Sequence, residues 1–315
     1  MSRPIGTAEL RPRMGRARDW IVGGILLAAV VAGVSLTVGW GPLLAPWQEL
    51  SLIQLLPPIG LTALSYSLRA VRVSEYFRPQ LDGRFASVLR LSVLHTTANN
   101  LLPMRSGEMV FPYLMRKYFG YGFLGATASL VWIRLLDLHF LGLLGILILD
   151  LRDPSWLWSL ASLLWLALLP IMGLTSRLMP NGQGRIAKAM RLMIDAAPPT
   201  AARALRIYLW TALIWISKFL AFALVLGYFL SAQLWQILLG VMGAELSSVL
   251  PFHGIAGSGS YELAVVAALL PTGINATRAL AGAVNLHLFL LGVTLLLGGL
   301  AFLLPAARRE RRGEP

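Results

Sequence analysis

Six apolar runs divide this chain, each close to the 20 residues that a helix needs to cross a bilayer. They are read at 20–41, 50–68, 124–149, 156–174, 207–230 and 279–304. The composition fits that reading. The chain is 57% hydrophobic and 13% charged, about half the charge of an ordinary soluble domain. An all-α polytopic membrane protein is the implied class. Without cysteine there are no disulfides or thiolate metal sites. The first run, Ile21 to Trp40, is too long for the core of a signal peptide and lacks a small-residue cleavage site, so it reads as a retained span.

A net charge of +13 suggests nucleic acid until the positions are read. Five basic residues lie on the N-terminal arm and eight between the second and third runs. Six more lie between the fourth and fifth, and four on the tail. Of the 27, only Arg152 and Arg278 fall on the opposite side, with Arg134 and Lys218 inside runs. By the positive-inside rule both termini face the cytoplasm. The charge is therefore topological, with attraction to anionic lipid as a secondary effect, and no nucleic-acid partner is expected. Trp20, Trp40, Trp47, Trp156, Trp158, Trp210 and Trp235 fall near proposed span ends, where such rings favour the headgroup region.

Two distant stretches are nearly alike. Asn100 leads through Leu101-Leu102-Pro103-Met104-Arg105 into Ser106-Gly107-Glu108, and Val249-Leu250-Pro251-Phe252-His253 leads through a glycine-rich insertion into Ser260-Tyr261-Glu262. Both put helix-breaking polar residues in apolar surroundings, which a bilayer tolerates only where backbone is buried in protein or lines a cavity. With six full spans and both ends inside, 85–118 and 236–271 each return to the side they entered. Their arms are shorter than the ~20 residues a crossing needs. The expected architecture is two re-entrant helical hairpins and six full spans in an inverted repeat. Its halves would be about 20–150 and 156–304 of one transmembrane domain at 20–304, flanked by basic ends at 1–19 and 305–315. Paired breaks in corresponding halves mark a transporter's binding site. Ser106 and Ser260 are expected to cap the returning half-helices, and the run Gly254–Gly259, with Gly257 and Gly259, offers backbone donors for a phosphate.

A charge within a span costs ~2.5–3.5 kcal/mol on insertion scales, so each one carries information. Lys218 is far from either end of its run. Arg134 and Asp137 share a helical face at a spacing of three. Glu245, Arg105, Glu108 and Glu262 sit on or beside the breaks, and His253 takes the place in the second break that Arg105 has in the first. For Arg134 and Asp137 a structural salt bridge is the plainer reading. The candidate substrate-binding residues are Asn100, Arg105, Glu108, Lys218, Gly257, Gly259 and Glu262. Arg134, Asp137, Glu245 and His253 are candidate coupling groups or structural partners. Carboxylates beside cations would suit a zwitterionic or aminoacylated headgroup. His95, His139, His253 and His287 show no metal-ligand spacing, so no metal or cofactor is expected. Residues 185–196 set basic side chains against apolar ones, the pattern of a helix lying on an anionic surface.

The Asn-x-x-Pro-x-Arg-x-Gly-Glu pattern at Asn100–Glu108, the Arg-x-x-Asp at Arg134–Asp137 and the Pro…Gly-x-Gly-x-x-Glu at Pro251–Glu262 resemble the lysylphosphatidylglycerol synthase transmembrane family. That flippase-like family is related to the N-terminal half of the multiple peptide resistance factor. The resemblance implies lipid translocation across the bacterial inner membrane, with Arg105, Glu108 and Glu262 in a polar cavity. Membrane phospholipids are the implied partners, together with a lipid-modifying enzyme. The chain departs from the family pattern at Trp132-Ile133 before Arg134 and at His253 and Ala256. No synthesising domain is expected after Pro305. The rival readings are a transporter of polyprenyl phosphate or glycolipid, and an accessory protein of envelope lipid synthesis. An embedded transferase would need an acidic metal-binding loop outside the bilayer, and the outer loops offer only Glu49, Asp150 and Asp153. No catalytic residue is assigned.

Overall fold

A computed structural model describes residues 17–175, 184–248 and 254–306. Within them the chain forms twelve α-helices and no strand. In order these are α1 (Ala17–Thr37), α2 (Trp40–Glu49), α3 (Leu52–Tyr76), α4 (Phe85–Leu101), α5 (Val110–Phe119) and α6 (Phe123–Arg152). Then follow α7 (Trp156–Thr175), α8 (Arg185–Asp195), α9 (Ala201–Phe229), α10 (Leu234–Ser247), α11 (Ser260–Leu269) and α12 (Ala276–Ala301). The basic arm through Arg16, Arg177, the tail from residue 307, and Pro251 with His253 lie outside the described residues.

Five stretches are long and apolar enough to cross a membrane: Trp20–Thr37, Phe123–Arg152, Ala201–Phe229, Ile255–Thr272 and Ala276–Ala301. The pair α2 and α3, bent by 96°, makes a sixth if it counts as one span. This is a polytopic all-α membrane protein. The six predicted runs lie on α1, α3, α6, α7, α9 and α12, but among the described residues α7 offers only the shorter apolar stretch Trp156–Leu169, while Ile255–Thr272, expected as part of a hairpin, is long enough to cross. Two boundaries also move. The first run ends at Thr37, and Trp40 instead opens the short helix α2. The second extends well past residue 68 to Tyr76. Arg69 and Arg72 therefore belong to α3, not to a cytoplasmic loop, because Tyr66, Ala70 and Val73 continue the buried face of the helix.

Local chemistry sets the helix starts. Ser51 and Gln54 form a reciprocal capping box at α3, with Ser51 N donating to Gln54 Oε1 at 2.9 Å. Thr200 caps α9, and Asn275 caps α12 by accepting from Thr277 N at 2.8 Å. The core sits where α3 packs along α9, with α4, α10 and α12 against them. Side-chain bonds then lock neighbours together. Ser65 Oγ donates to Ile214 O at 3.0 Å, and Trp47 Nε1 donates to Asn285 Oδ1 at 2.7 Å, tying α2 to α12. His139 joins three helices through Tyr208 Oη and Trp165 O, both at 2.9 Å. The amphipathic helix α8 is tied to α6 by Trp132 Nε1, which donates to Met193 O at 2.7 Å.

Two helix pairs fold back on themselves. α4 turns through a 3-10 segment, Pro103–Met109, into α5. α10 leads past the undescribed residues 249–253 and a 3-10 turn, Ile255–Gly257, into α11. At 1.5 Å per residue, α5 is about 15 Å long and α10 about 21 Å, against about 30 Å of hydrocarbon. α11 is as short as α5 and reaches crossing length only with the 3-10 turns on either side of it, as Ile255–Thr272. Gly107 makes the first turn possible. A Cβ there would lie 2.5 Å from the carbonyl carbon of Ala98 and 2.6 Å from its oxygen, inside the α4 backbone. α10 and α11 approach equally closely through small residues, with Gly243 against the carbonyl of Ala264.

Each turn also holds one non-glycine residue in the left-handed region, Met104 and Ala256, both at φ 54°. The two turns pack on each other and on α1.

Candidate functional site

A cavity of about 410 Å³ opens between α3, α4, α6, α9 and α10, within the range of small-ligand sites. Its polar lining is charged, and those charges come from helices that are otherwise apolar. The centre of the network is Asp137 on α6. Its Oδ1 accepts from Arg72 NH1 at 2.6 Å and from Trp215 Nε1 at 3.0 Å, and its Oδ2 from Arg134 NH1 at 3.2 Å. One carboxylate thus gathers donors from α3, α6 and α9. Arg72 adds a bond to Thr211 Oγ1 at 2.9 Å.

Glu108 reaches the same network from the first turn. Its Oε1 accepts from Arg134 NH2 at 2.9 Å and from Asn99 Nδ2 at 3.0 Å, and its Oε2 lies 3.4 Å from His95 Nε2. On the opposite wall, Lys218 Nζ contacts Glu245 Oε2 at 2.6 Å and lies over the rings of Trp215 and Phe222. Arg69 also stands over Trp215, 5.6 Å from the ring centroid. Asn100 also lines the cavity, and its amide donates to Thr294 Oγ1 at 2.9 Å and Tyr66 Oη at 3.2 Å. It ties α4 to α12 and α3.

The fold therefore brings Asn100, Glu108, Lys218, Arg134, Asp137 and Glu245 to one cavity. It adds two cations, Arg69 and Arg72, that the sequence reading placed in a loop. The apolar period that runs on past residue 68 was the available signal. The backbone of Arg105 belongs to the first turn, while its side chain, like all of His253, lies outside the described part.

Glu262, Gly257 and Gly259 form a second, separate cluster. Glu262 and His287 are 4% and 3% exposed, with His287 Nδ1 2.6 Å from Glu262 Oε1. His287 Nε2 lies 2.8 Å from Ala256 O, so that nitrogen carries a hydrogen and donates. Glu262 Oε2 accepts from Gly259 N at 2.7 Å. The glycine-rich turn spends its donors internally, since Gly257 N bonds Gly254 O and Ser258 N bonds Ile255 O. It is a packed turn against α1, not an open phosphate cradle. A Cβ on Gly23 of α1 would sit 2.7 Å from Ile255 Cγ1. Neither serine caps as expected. Ser106 Oγ donates back to Pro103 O at 2.9 Å, and Met109, at the cap position of α5, makes no side-chain cap bond. Ser260 is the first residue of α11, whose cap is Gly259. Among the described residues no three His, Asp or Glu side chains are grouped to hold a metal.

A family profile described as the lysylphosphatidylglycerol synthase TM region matches residues 20–298. No curated protein matches the chain.

Proposed function

The chain belongs to the lysylphosphatidylglycerol synthase transmembrane family, and from that premise we propose that it moves a phospholipid between the leaflets of a bacterial inner membrane. The observation that carries this reading is the charged cavity itself. Ionisable groups inside apolar helices are costly and mark pathways, and this cavity joins polar groups of α3, α4, α6, α9 and α10 to apolar lining from α3, α5, α6 and α9. A headgroup would enter it while the acyl chains stay in lipid.

In the same reading α4–α5 and α10–α11 are re-entrant hairpins in equivalent positions of an inverted repeat. The matched left-handed residues Met104 and Ala256 and the short returning helices support that assignment. The halves, about 20–150 and 156–304, would rock about the fixed site, with both termini cytoplasmic. The residues that would meet the headgroup are Asn100, Glu108 and Lys218 of the sequence reading, joined by Arg69. Arg134, Asp137 and Glu245 hold these groups in place. Nothing in this scheme calls for catalysis by the chain.

The test is leaflet exchange of fluorescent phosphatidylglycerol, lysylphosphatidylglycerol and a polyprenyl phosphate in proteoliposomes holding the purified chain. Protein-dependent exchange of one of them, lost in Lys218→Met, is the expected result. No exchange of any of the three by folded protein would overturn the reading.

A further inference from the structure

Among the described residues the charges of the cavity do not balance, and the imbalance points to a ligand class. Every carboxylate in the described lining is already matched by a protein cation. Glu108 is held by Arg134 at 2.9 Å, Asp137 by Arg72 at 2.6 Å and Glu245 by Lys218 at 2.6 Å. Arg69 is the fourth cation in that lining. Among the described residues it makes no close ion pair or hydrogen bond: it stands over the ring of Trp215, and the carboxylate whose charge it feels, Asp137, is already held by Arg72 and Arg134. The hydrogen-bond inventory leans the same way. Nε of Arg69, Arg72 and Arg134 are all buried N–H donors without an acceptor. Buried donors are normally satisfied, and guanidinium groups match phosphate oxygens in geometry as well as charge. On the acceptor side, Asn99 Oδ1 is buried without a donor.

We infer that the cavity is a site for a net-anionic phosphate ester, bound through Arg69, with a hydroxyl of the esterified group facing Asn99. A headgroup with a free ammonium is disfavoured, because no carboxylate is left to receive it without breaking an internal pair. Buried like charges with no partner cost more than exposed ones. The inference rests on the lipid-handling reading of this cavity and narrows it to phosphatidylglycerol-like headgroups, against the aminoacylated ones.

The experiment is direct binding to the purified full chain in detergent, read by competition against a fluorescent phosphatidylglycerol. Short-chain phosphatidylglycerol, lysylphosphatidylglycerol, a polyprenyl phosphate and free glycerol 3-phosphate are the competitors. Phosphatidylglycerol is expected to compete at least tenfold better than its lysyl derivative. Arg69→Ala should weaken it by tenfold or more and erase that preference, Arg69→Lys should restore part of both, and Lys188→Gln on the exposed face of α8 should change neither. Glycerol 3-phosphate competing as well as the lipid would assign the same anion site to a soluble phosphate ester. The ranking of the wild-type protein needs no variant to fold. Equal or tighter binding of the lysyl lipid, or unchanged binding in folded Arg69→Ala, would overturn the inference. The two readings fail separately. Exchange of the lysyl lipid alone would sink the anion site and leave transport standing, and anion binding without exchange of any lipid would do the reverse.

Discussion

Arg72 and Asp137, 65 residues apart in the chain, meet at 2.6 Å with only 3% and 5% of their side chains exposed. Removing one partner from such a pair leaves the other buried and uncompensated. Asp137→Asn should therefore cost about 3–5 kcal/mol in stability. Arg72→Met with Asp137→Leu should lie closer to wild type than either single change. Thermal unfolding in detergent checks both, and an Asp137→Asn protein as stable as wild type would contradict the hub described here.

Gly107 and Gly24 make a matched test of the first turn. A methyl at Gly107 would meet the Ala98 carbonyl, whereas nothing lies within 4 Å of one at Gly24. Gly107→Ala should destabilise by about 1–3 kcal/mol, as overpacking does, and Gly24→Ala by less than about 0.5 kcal/mol. Equal melting temperatures for the two variants would mean that the turn has room to relax.

Glu262 accepts from Gly259 N and joins His287, and an amide can keep both contacts. Glu262→Gln should stay folded with little loss. Glu262→Ala leaves buried groups unsatisfied and should cost about 1–3 kcal/mol for each such group. Hydrogen exchange at the backbone of residues 255–262 is the local readout, with faster exchange expected in the alanine variant only.

Trp132 holds α8 by one bond to Met193 O. Trp132→Phe keeps an aromatic ring, though a smaller one, and removes the donor, a loss of about 0.5–1.5 kcal/mol for the bond. Limited proteolysis near 184–196 should quicken while the rest of the chain keeps its protection. An unchanged digestion pattern would show that the apolar face of α8 and the bond from Tyr76 Oη to Ala196 O at its C-terminal end suffice to hold it.

Spans, breaks and the Arg134–Asp137 spacing were readable because each depends on neighbours in sequence. Apolar length locates a span, and a spacing of three puts two side chains on one face. The partners of those residues were not readable in this way. Lys218 finds Glu245 on another helix, and Glu262 finds His287 on α12. Which of the polar residues share one cavity is decided by how the helices cross. Arg69 and Arg72 were lost for a different reason. Charges lower the hydropathy of a window, so an apolar run ends on paper where its helix does not. The glycine-rich turn misled in the opposite sense, since donors that look free in a sequence were already spent on carbonyls and on Glu262.

The seating of Gly23 against Ile255, with Leu26 against Gly259, joins opposite ends of the chain into one mechanical part. The second turn has no slack on that side. Any widening there must push into α4 and the first turn, or carry α1 along as a lever, and a rigid load fixed to the head of α1 would be felt at the turn.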